Sequence, residues 1–496
     1  MFLKFYPRPF YFNITIISLF SIISLIGLLN HSMWRDELNV WAIVRDSSSL
    51  LELLHNIKYE GHPALWYLCL SLLHYFTDNP IVMQFFHLAI AISIITIILF
   101  FSPLSRLQKI LFSFGYLPLY EYSIISRNYS LYILFSFLFC VFFKNRDKNL
   151  IAPIVCLVLM TNANAYGLLI AFVLFCALFL DLILFEKRLK LLAIASSMAI
   201  YGLGFLTALF LLIPPQDSEL KGGLIKWDTF WDLHHLMKVL ARIWNSYILI
   251  LVPRDSSFWD VTLYAIISLG ILLFFILSFL KKPIPLFIYV LGTMELLFFT
   301  YTKVLGSPRH YGNFYVILIL SVWISSYYSS QPNHIFSKAI AWVDRYKKNV
   351  LTFILSAQFI AGIVALTRNI IVPYSASRET ANYIKNNALD DLFIVGSQDS
   401  VMTPISGYLN RQIYYPESKE MGSFVLYNSR RIDVDREEVL SQVKKLLNEG
   451  QSQILLILNY ELDGFPEDLQ IEAIAEFTDS YIYNERYYLY LVRLLE

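Results

Sequence analysis

Long stretches without a single charge dominate the first three quarters of the chain. Uncharged apolar runs fall at about 12–30, 81–102, 110–120, 129–143, 150–162, 165–180, 191–213, 261–280, 284–302, 311–328 and 350–367. A helix needs about 20 apolar residues to cross the ~30 Å core of a bilayer, so these runs predict about eleven transmembrane helices. Those at 110–120, 129–143 and 150–162 are short. The first run has no small-residue cleavage site and continues into His31-Ser32-Met33-Trp34, the pattern of a retained helix and not of a cleaved signal. Residues 63–76 are apolar but too few to span, and a proline opens them. They predict a helix lying in the membrane interface, with Trp66, Tyr67 and Tyr75 at headgroup level. After residue 373 the period changes. Leu392–Gly396 and Gln453–Leu458 predict strands, Arg436–Asn448 predicts an amphipathic helix, and Tyr481–Leu494 alternates Tyr and Leu with polar residues. The chain therefore reads as an all-α polytopic membrane domain over 1–373 and a small α/β soluble domain over 374–496, with outer loops at about 31–80 and 214–257.

Composition supports the division. The chain is 57% hydrophobic and 16% charged, against roughly 25% charged in average soluble domains, which excludes a soluble enzyme of this size and a disordered chain. The net charge of +1 conceals two opposite halves: residues 1–373 hold 28 Lys/Arg and 18 Asp/Glu, residues 374–496 hold 11 and 20. With the N-terminus inside, the cytoplasmic loops carry Lys4/Arg8, Arg106/Lys109, Lys144/Arg146/Lys148, Lys187/Arg188/Lys190, Lys281/Lys282 and Arg345/Lys347/Lys348. That bias sets the orientation of a multi-pass inner-membrane protein, and eleven crossings then put residues 374–496 outside. The four cysteines all sit in apolar runs and read as small core residues, with neither a disulfide framework nor a zinc site. Membrane lipids are the expected surroundings, and no nucleic-acid partner is expected.

The charged residues of the first outer loop form two short clusters, Trp34-Arg35-Asp36-Glu37 just after the first run and Glu60-Gly61-His62-Pro63 before the interfacial helix. Acids at a membrane exit can take a proton from a hydroxyl or bind a divalent cation, so Mg or Mn is the candidate cofactor, with ligands the sequence does not assign. Asp36 has a plain alternative as a helix N-cap, because Leu38, Trp41 and Ala42 follow at helical spacing. Ser49-Leu50-Leu51-Glu52 reads as a capping box. Glu295, in the middle of an apolar run, is either a functional group or a hydrogen-bonded packing residue.

An uncharged first helix, Trp-Arg-Asp-Glu at its outer end, and Glu-Gly-His-Pro-Ala-Leu-Trp-Tyr about 25 residues later together resemble the GT-C superfamily of integral-membrane glycosyltransferases. Within it, the chain is most similar to the branch of the protein O-mannosyltransferases and the lipid A aminoarabinose transferase. The resemblance implies that Asp36 is the catalytic base, with Glu37 beside it, and that Glu60 and His62 line the same cavity. It implies that Arg127 and Tyr129, in Arg127-Asn128-Tyr129, match an Arg-x-Tyr element at the outer mouth. It also implies that Arg309, His310 and Tyr311 match a basic element near the donor phosphate. Asn162-Ala163-Asn164-Ala165-Tyr166 departs from the family, many of whose members carry a His there.

The physical chemistry agrees with this implication. A polyprenyl-phosphate sugar donor keeps its tail in lipid and its phosphate at headgroup level, where the enzyme needs a base for the acceptor hydroxyl and cations for the leaving phosphate. Asp36, Arg127, Lys303 and Arg309 all fall at the same outer boundary, although each basic residue alone also reads as a snorkelling anchor. The function expected is an inverting transfer from that donor to a lipid, glycan or protein acceptor on the outer face. A transporter or lipid flippase is the alternative, but such proteins gather polar groups near the midplane, where this chain has only Glu295. A non-catalytic assembly protein is the other; it would leave Asp36 dispensable.

Overall fold

The computed structural model describes residues 8–185, 190–219, 227, 230–330, 336–464, 466 and 468–495. Lys4, Lys187, Arg188 and parts of the 214–257 loop lie outside the described residues. Among those described, seven helices are long and apolar enough to cross a membrane: Phe10–Asn30, Ile81–Phe101, Ala165–Leu184, Leu191–Leu212, Phe258–Phe279, Pro283–Thr302 and Ser337–Ile371. Three further runs form shorter helices, Tyr129–Phe143, Ile151–Thr161 and Asn313–Ser325. At 1.5 Å per residue they rise only about 16–22 Å. The run at 110–120 is not one helix. Arg106–Ser113 ends before Pro118, which has no N–H for a helical ladder, and the chain continues as a π-turn over Leu117–Glu121. The helix Ser337–Ile371 crosses this break so closely that a Cβ on Gly362 would lie 2.4 Å from the Phe114 carbonyl oxygen.

Two expectations need correction. The helix Leu65–His74 is present, but Trp66 and Tyr67 are buried, Trp66 stacking on Phe86 at 5.9 Å; the faces left to the lipid interface are Leu72, Tyr75 and Phe76. The outer loop at 214–257 is not only a loop. It contains the helix Leu233–Tyr247, which runs parallel to Phe258–Phe279: His234 stacks near Phe258, the Trp244 N–H donates to Ser268 Oγ at 3.0 Å, and Tyr247 meets Phe275. It is therefore a re-entrant element that dips into the bundle, and the chain returns over 248–257. Its inner end is tied by Gln358 Nε2, which donates to the Ser246 carbonyl at 2.7 Å. Non-helical backbone at membrane depth is tolerated where protein groups satisfy it in this way. At the other end of the bundle, Arg146 is a buried fork on Asp181 at 2.6 and 2.8 Å.

The C-terminal domain holds one six-stranded sheet. Its strands are β1 (Phe393–Ser397), β2 (Ile413–Tyr415), β3 (Glu420–Gly422), β4 (Ile454–Leu458), β5 (Leu469–Phe477) and β6 (Tyr487–Leu494), in the order β3-β2-β1-β4-β6-β5. The three central strands β2, β1 and β4 are parallel and the outer pairings antiparallel. β4 is buried on both faces, which explains its unbroken Ile-Leu-Leu-Ile-Leu. The helix Asp399–Leu409 leaves the end of β1 and packs on Arg35–Asp46, with Gly407 against Leu38.

Candidate active site

The segment between the first membrane helix and Asp36 is clamped by the C-terminal domain. Arg378 donates to the carbonyls of Leu29, Asn30 and His31, satisfying acceptors that the end of the first helix leaves open. Ser377 Oγ donates to the Met33 carbonyl, and the Met33 N–H donates to the Tyr408 hydroxyl at 2.7 Å. The helix Arg35–Asp46 then begins, with Trp34 and not Asp36 in the N-cap position.

Neighbouring acids on this helix point about 100° apart and take different work. Glu37 is fully buried: its carboxylate meets His31 Nε2 at 2.8 Å and accepts the Trp34 N–H at 3.2 Å and the Ser126 N–H at 2.6 Å. It is a positioning residue, and what it positions is the turn carrying Arg127. Asp36 faces a cavity of about 210 Å³, lined also by Arg35, Asn39, Glu60, His62 and Arg127 from the membrane domain. Ser400 and Tyr427 of the C-terminal domain complete the wall.

The Asp36 side chain keeps 27% of its surface exposed and is shared by two guanidiniums, Arg309 Nη2 at 2.9 Å and Arg127 Nη1 at 3.1 Å. Burial pushes its carboxyl upward, but Arg127, Arg309 and Arg35 outweigh that and hold it below the usual carboxylate value. Glu60 goes the other way. Burial raises it to about 7 against the pull of Arg127, with the Asp36 charge adding to the rise, and Asn39 Nδ2 orients it at 3.0 Å. His62 is neutral, pushed down to about 3 by burial and then by Arg127. Arg309 also lies over the Trp34 ring, 5.1 Å from its centre. The buried Nε–H of Arg309 and Nε1–H of Trp34 have no acceptor among the described residues, nor has His62 Nδ1 a partner. Buried donors without acceptors beside two guanidiniums make a place suited to an anion.

The other expected residues are farther from the chemistry. His310 is pushed down to about 3 by burial and then by Arg309 and Arg127; its Nδ1 accepts the Ser307 N–H at 2.9 Å, so it caps its own turn without a charge to offer. Tyr129 is buried between Tyr166 and His310, and Tyr311 lies under Arg242 at 5.5 Å. The Lys303 ammonium sits 5.5 Å from the centre of the Trp227 ring and does not line the cavity. Asn162 and Asn164, where the family resemblance fails, have structural work: Asn164 Oδ1 caps its helix by accepting the Gly167 N–H, and Asn162 Nδ2 donates to the Val158 carbonyl and, on the neighbouring helix Leu191–Leu212, to the Gly204 carbonyl.

No protein-family model matches the sequence, and no curated protein does. Solved structures do. The crystal structure of ArnT from Cupriavidus metallidurans bound to undecaprenyl phosphate matches with a TM-score of 0.56, over 96% of this chain and 97% of that one, at 10% sequence identity. The apo state of the same protein matches at 0.50, with the same coverage and identity. The chain has the ArnT fold. ArnT is the lipid A aminoarabinose transferase, of GT-C fold, and the match covers 96% of this chain, so it takes in the membrane bundle and most of the C-terminal domain.

Three lining residues escaped the sequence. Asn39 is one turn beyond Asp36 on the same helix, a spacing that could have suggested it. Ser400 and Tyr427 had no signal, since only folding brings them within reach. The stretch that carries Tyr427 is stitched over the cavity: the Val425 N–H donates to Asn39 Oδ1, the Glu219 N–H to the Tyr427 carbonyl, and the Ser429 N–H to the Asp217 carbonyl. A divalent cation does not fit these residues. Asp36 is already neutralised by two guanidiniums, and the cavity it shares with Glu60 and His62 is also lined by the cations Arg35 and Arg127. No group of three or more His, Cys, Asp or Glu side chains is placed to hold a metal among the described residues.

Proposed function

We propose that this chain is a membrane glycosyltransferase that moves a sugar from a polyprenyl-phosphate donor to a hydroxyl acceptor on the outer face, with inversion. The observation that carries the proposal is the ion cluster of Asp36, Arg127 and Arg309, with unpaired donors beside it, inside an ArnT-like fold. The neighbour was crystallised with undecaprenyl phosphate, and a lipid of that kind fits a cationic site at the membrane boundary.

In the mechanism we propose, Arg127 and Arg309 are the donor-phosphate cations, and Asp36 is the base. At rest each neutralises the other. An arriving phosphate competes for the guanidiniums, which releases the Asp36 carboxylate and raises its basicity only when a donor is present. The acceptor oxygen then attacks the anomeric carbon from the face opposite the phosphate, and its proton passes to Asp36. The bond from the anomeric carbon to the phosphate oxygen breaks, its electron pair leaving on the polyprenyl phosphate, whose charge the two arginines balance. Glu60 and Asn39 orient the acceptor, and Tyr427 and Ser400 form its outer wall. Lys303, His310, Tyr129 and Tyr311 support the mouth of the site without touching the phosphate. The Lys/Arg bias of the loops supports an N-terminus in the cytoplasm and a C-terminal domain outside.

The test is lipid analysis of cells lacking the chain. A sugar-bearing polyprenyl phosphate should accumulate and fall again when the wild type, but not Asp36→Asn, is restored. An unchanged pool of polyprenyl-phosphate sugars overturns the proposal.

A further inference from the structure

We propose that the end of the bundle opposite the active site holds the phosphate of an anionic phospholipid. A cavity of about 390 Å³ opens there between Phe258–Phe279, Asn313–Ser325, Ser337–Ile371 and the turn before Arg106–Ser113. Lys282, Lys347 and Lys348 line it, and Phe275, Val322 and Leu351, farther along their helices into the bundle, line it with apolar surface. This two-level lining matches a headgroup phosphate above and the start of an acyl chain below.

The charge at this end is unbalanced. Asp344 is shared between Lys347 at 2.7 Å and Lys281 at 3.7 Å. The half-buried Lys282 ammonium donates to a neutral acceptor, the Ser325 carbonyl. A partly desolvated cation without its own anion favours recruiting one. Depth selects a lipid over a soluble anion. The exposed rings of Trp342 and Tyr346 pack together at 5.3 Å, with Phe274 against Trp342 at 5.9 Å, and aromatic side chains of this kind settle at the membrane–water boundary. Lys347 and Lys348 follow Tyr346 directly, so their ammoniums sit at phosphate level. Basic pockets between membrane helices are known to take anionic headgroups. The site is separate from the donor-phosphate cluster, which lies at the other end of the helices.

The experiment is a thermal-unfolding titration of the purified full-length chain in neutral detergent. The probes are phosphatidylglycerol, phosphatidylcholine and inorganic phosphate. Phosphatidylglycerol should raise Tm saturably, and the other two should not. Each ammonium lost should weaken it about fivefold, so the triple variant Lys282→Gln, Lys347→Gln, Lys348→Gln should bind about a hundredfold more weakly. If the triple variant does not fold, the exposed single variant Lys348→Gln should still show about fivefold weakening, while Lys148→Gln, on another loop of the same end, shows none. Equal stabilisation by phosphatidylcholine, equal stabilisation by inorganic phosphate, or unchanged affinity in the lysine variants each overturns the proposal.

Discussion

Replacing Asp36 by Asn removes one negative charge that two guanidiniums share at 2.9 and 3.1 Å. At an effective dielectric of about 20, each contact at such a distance is worth roughly 5 kcal/mol of bare Coulomb energy, most of it cancelled by desolvation. Exposed pairs net about 0.2–1 kcal/mol and removing one partner of a buried pair costs about 3–5. With 27% of the Asp36 side chain still exposed, the net hold on the arginines is about 1–2 kcal/mol. A phosphate binding to the same arginines must overcome that hold. Asp36→Asn should therefore bind undecaprenyl phosphate about 5- to 30-fold more tightly, while losing the base and about 10²–10⁴ in turnover. The two effects have opposite signs, which a merely misfolded variant cannot reproduce. Binding is read by native mass spectrometry of the detergent-solubilised chain titrated with undecaprenyl phosphate, and turnover by how far the variant lowers the polyprenyl-phosphate sugar pool in cells lacking the wild type. Weaker binding of the lipid by Asp36→Asn, or normal turnover, would refute the reasoning.

Arg309→Ala should weaken undecaprenyl phosphate binding about 10- to 150-fold, from roughly 1.5–3 kcal/mol for a charged hydrogen bond, and Arg309→Lys should recover only part because a point charge cannot replace the fork; equal affinity of Lys and wild type would make Arg309 an anchor. Glu37→Gln should lower Tm, at a cost of about 1.5–3 kcal/mol for each charged hydrogen bond lost, and should weaken undecaprenyl phosphate binding by the folded fraction, though less than Arg309→Ala does, because the turn carrying Arg127 loses its anchor; an unchanged Tm or an unchanged affinity would contradict the positioning role. Burial raises Glu60, Glu417 and Glu485 to about 7, so the folded chain holds more protons than the unfolded one between the ordinary Glu value and 7. Stability should fall as pH rises through that window, and Glu417→Gln with Glu485→Gln should flatten the fall in a Tm-versus-pH series; a rise with pH would reverse the sign. For topology, Ser452→Cys should react with an impermeant thiol reagent in intact cells and Asp147→Cys only after permeabilisation, and the reverse pattern would invert the orientation.

Much of this was legible because one physical rule, the cost of exposing backbone and charge to lipid, writes itself into the sequence as long uncharged runs. The central strands β1 and β4 were legible as apolar blocks, whereas β2 and β3 are only three residues each and β5 is a half-polar edge strand, too short or too mixed to stand out. The re-entrant helix Leu233–Tyr247 was missed because its Arg242, Asn245 and Ser246 look solvent-facing until the bundle buries them.

At the site, the sequence by itself placed Asp36, Arg127 and Arg309 at one membrane boundary, because spans and charge bias fix which loop ends share a side. It could not say that Asp36 and Glu37 part company. Their roles follow from which way each points on the helix, and that was decided when Ser126 and His31 closed on Glu37. Nor could it rank the phosphate ligands. Arg127 and Arg309 come from segments 182 residues apart, and only packing brings both guanidiniums onto one carboxylate while leaving Lys303 over Trp227. The Ser400 and Tyr427 wall is the furthest from sequence, since it depends on how a separately folded sheet docks on the helix Arg35–Asp46. Hydrophobic pattern is a property of neighbours along the chain; a cavity is a property of neighbours in space.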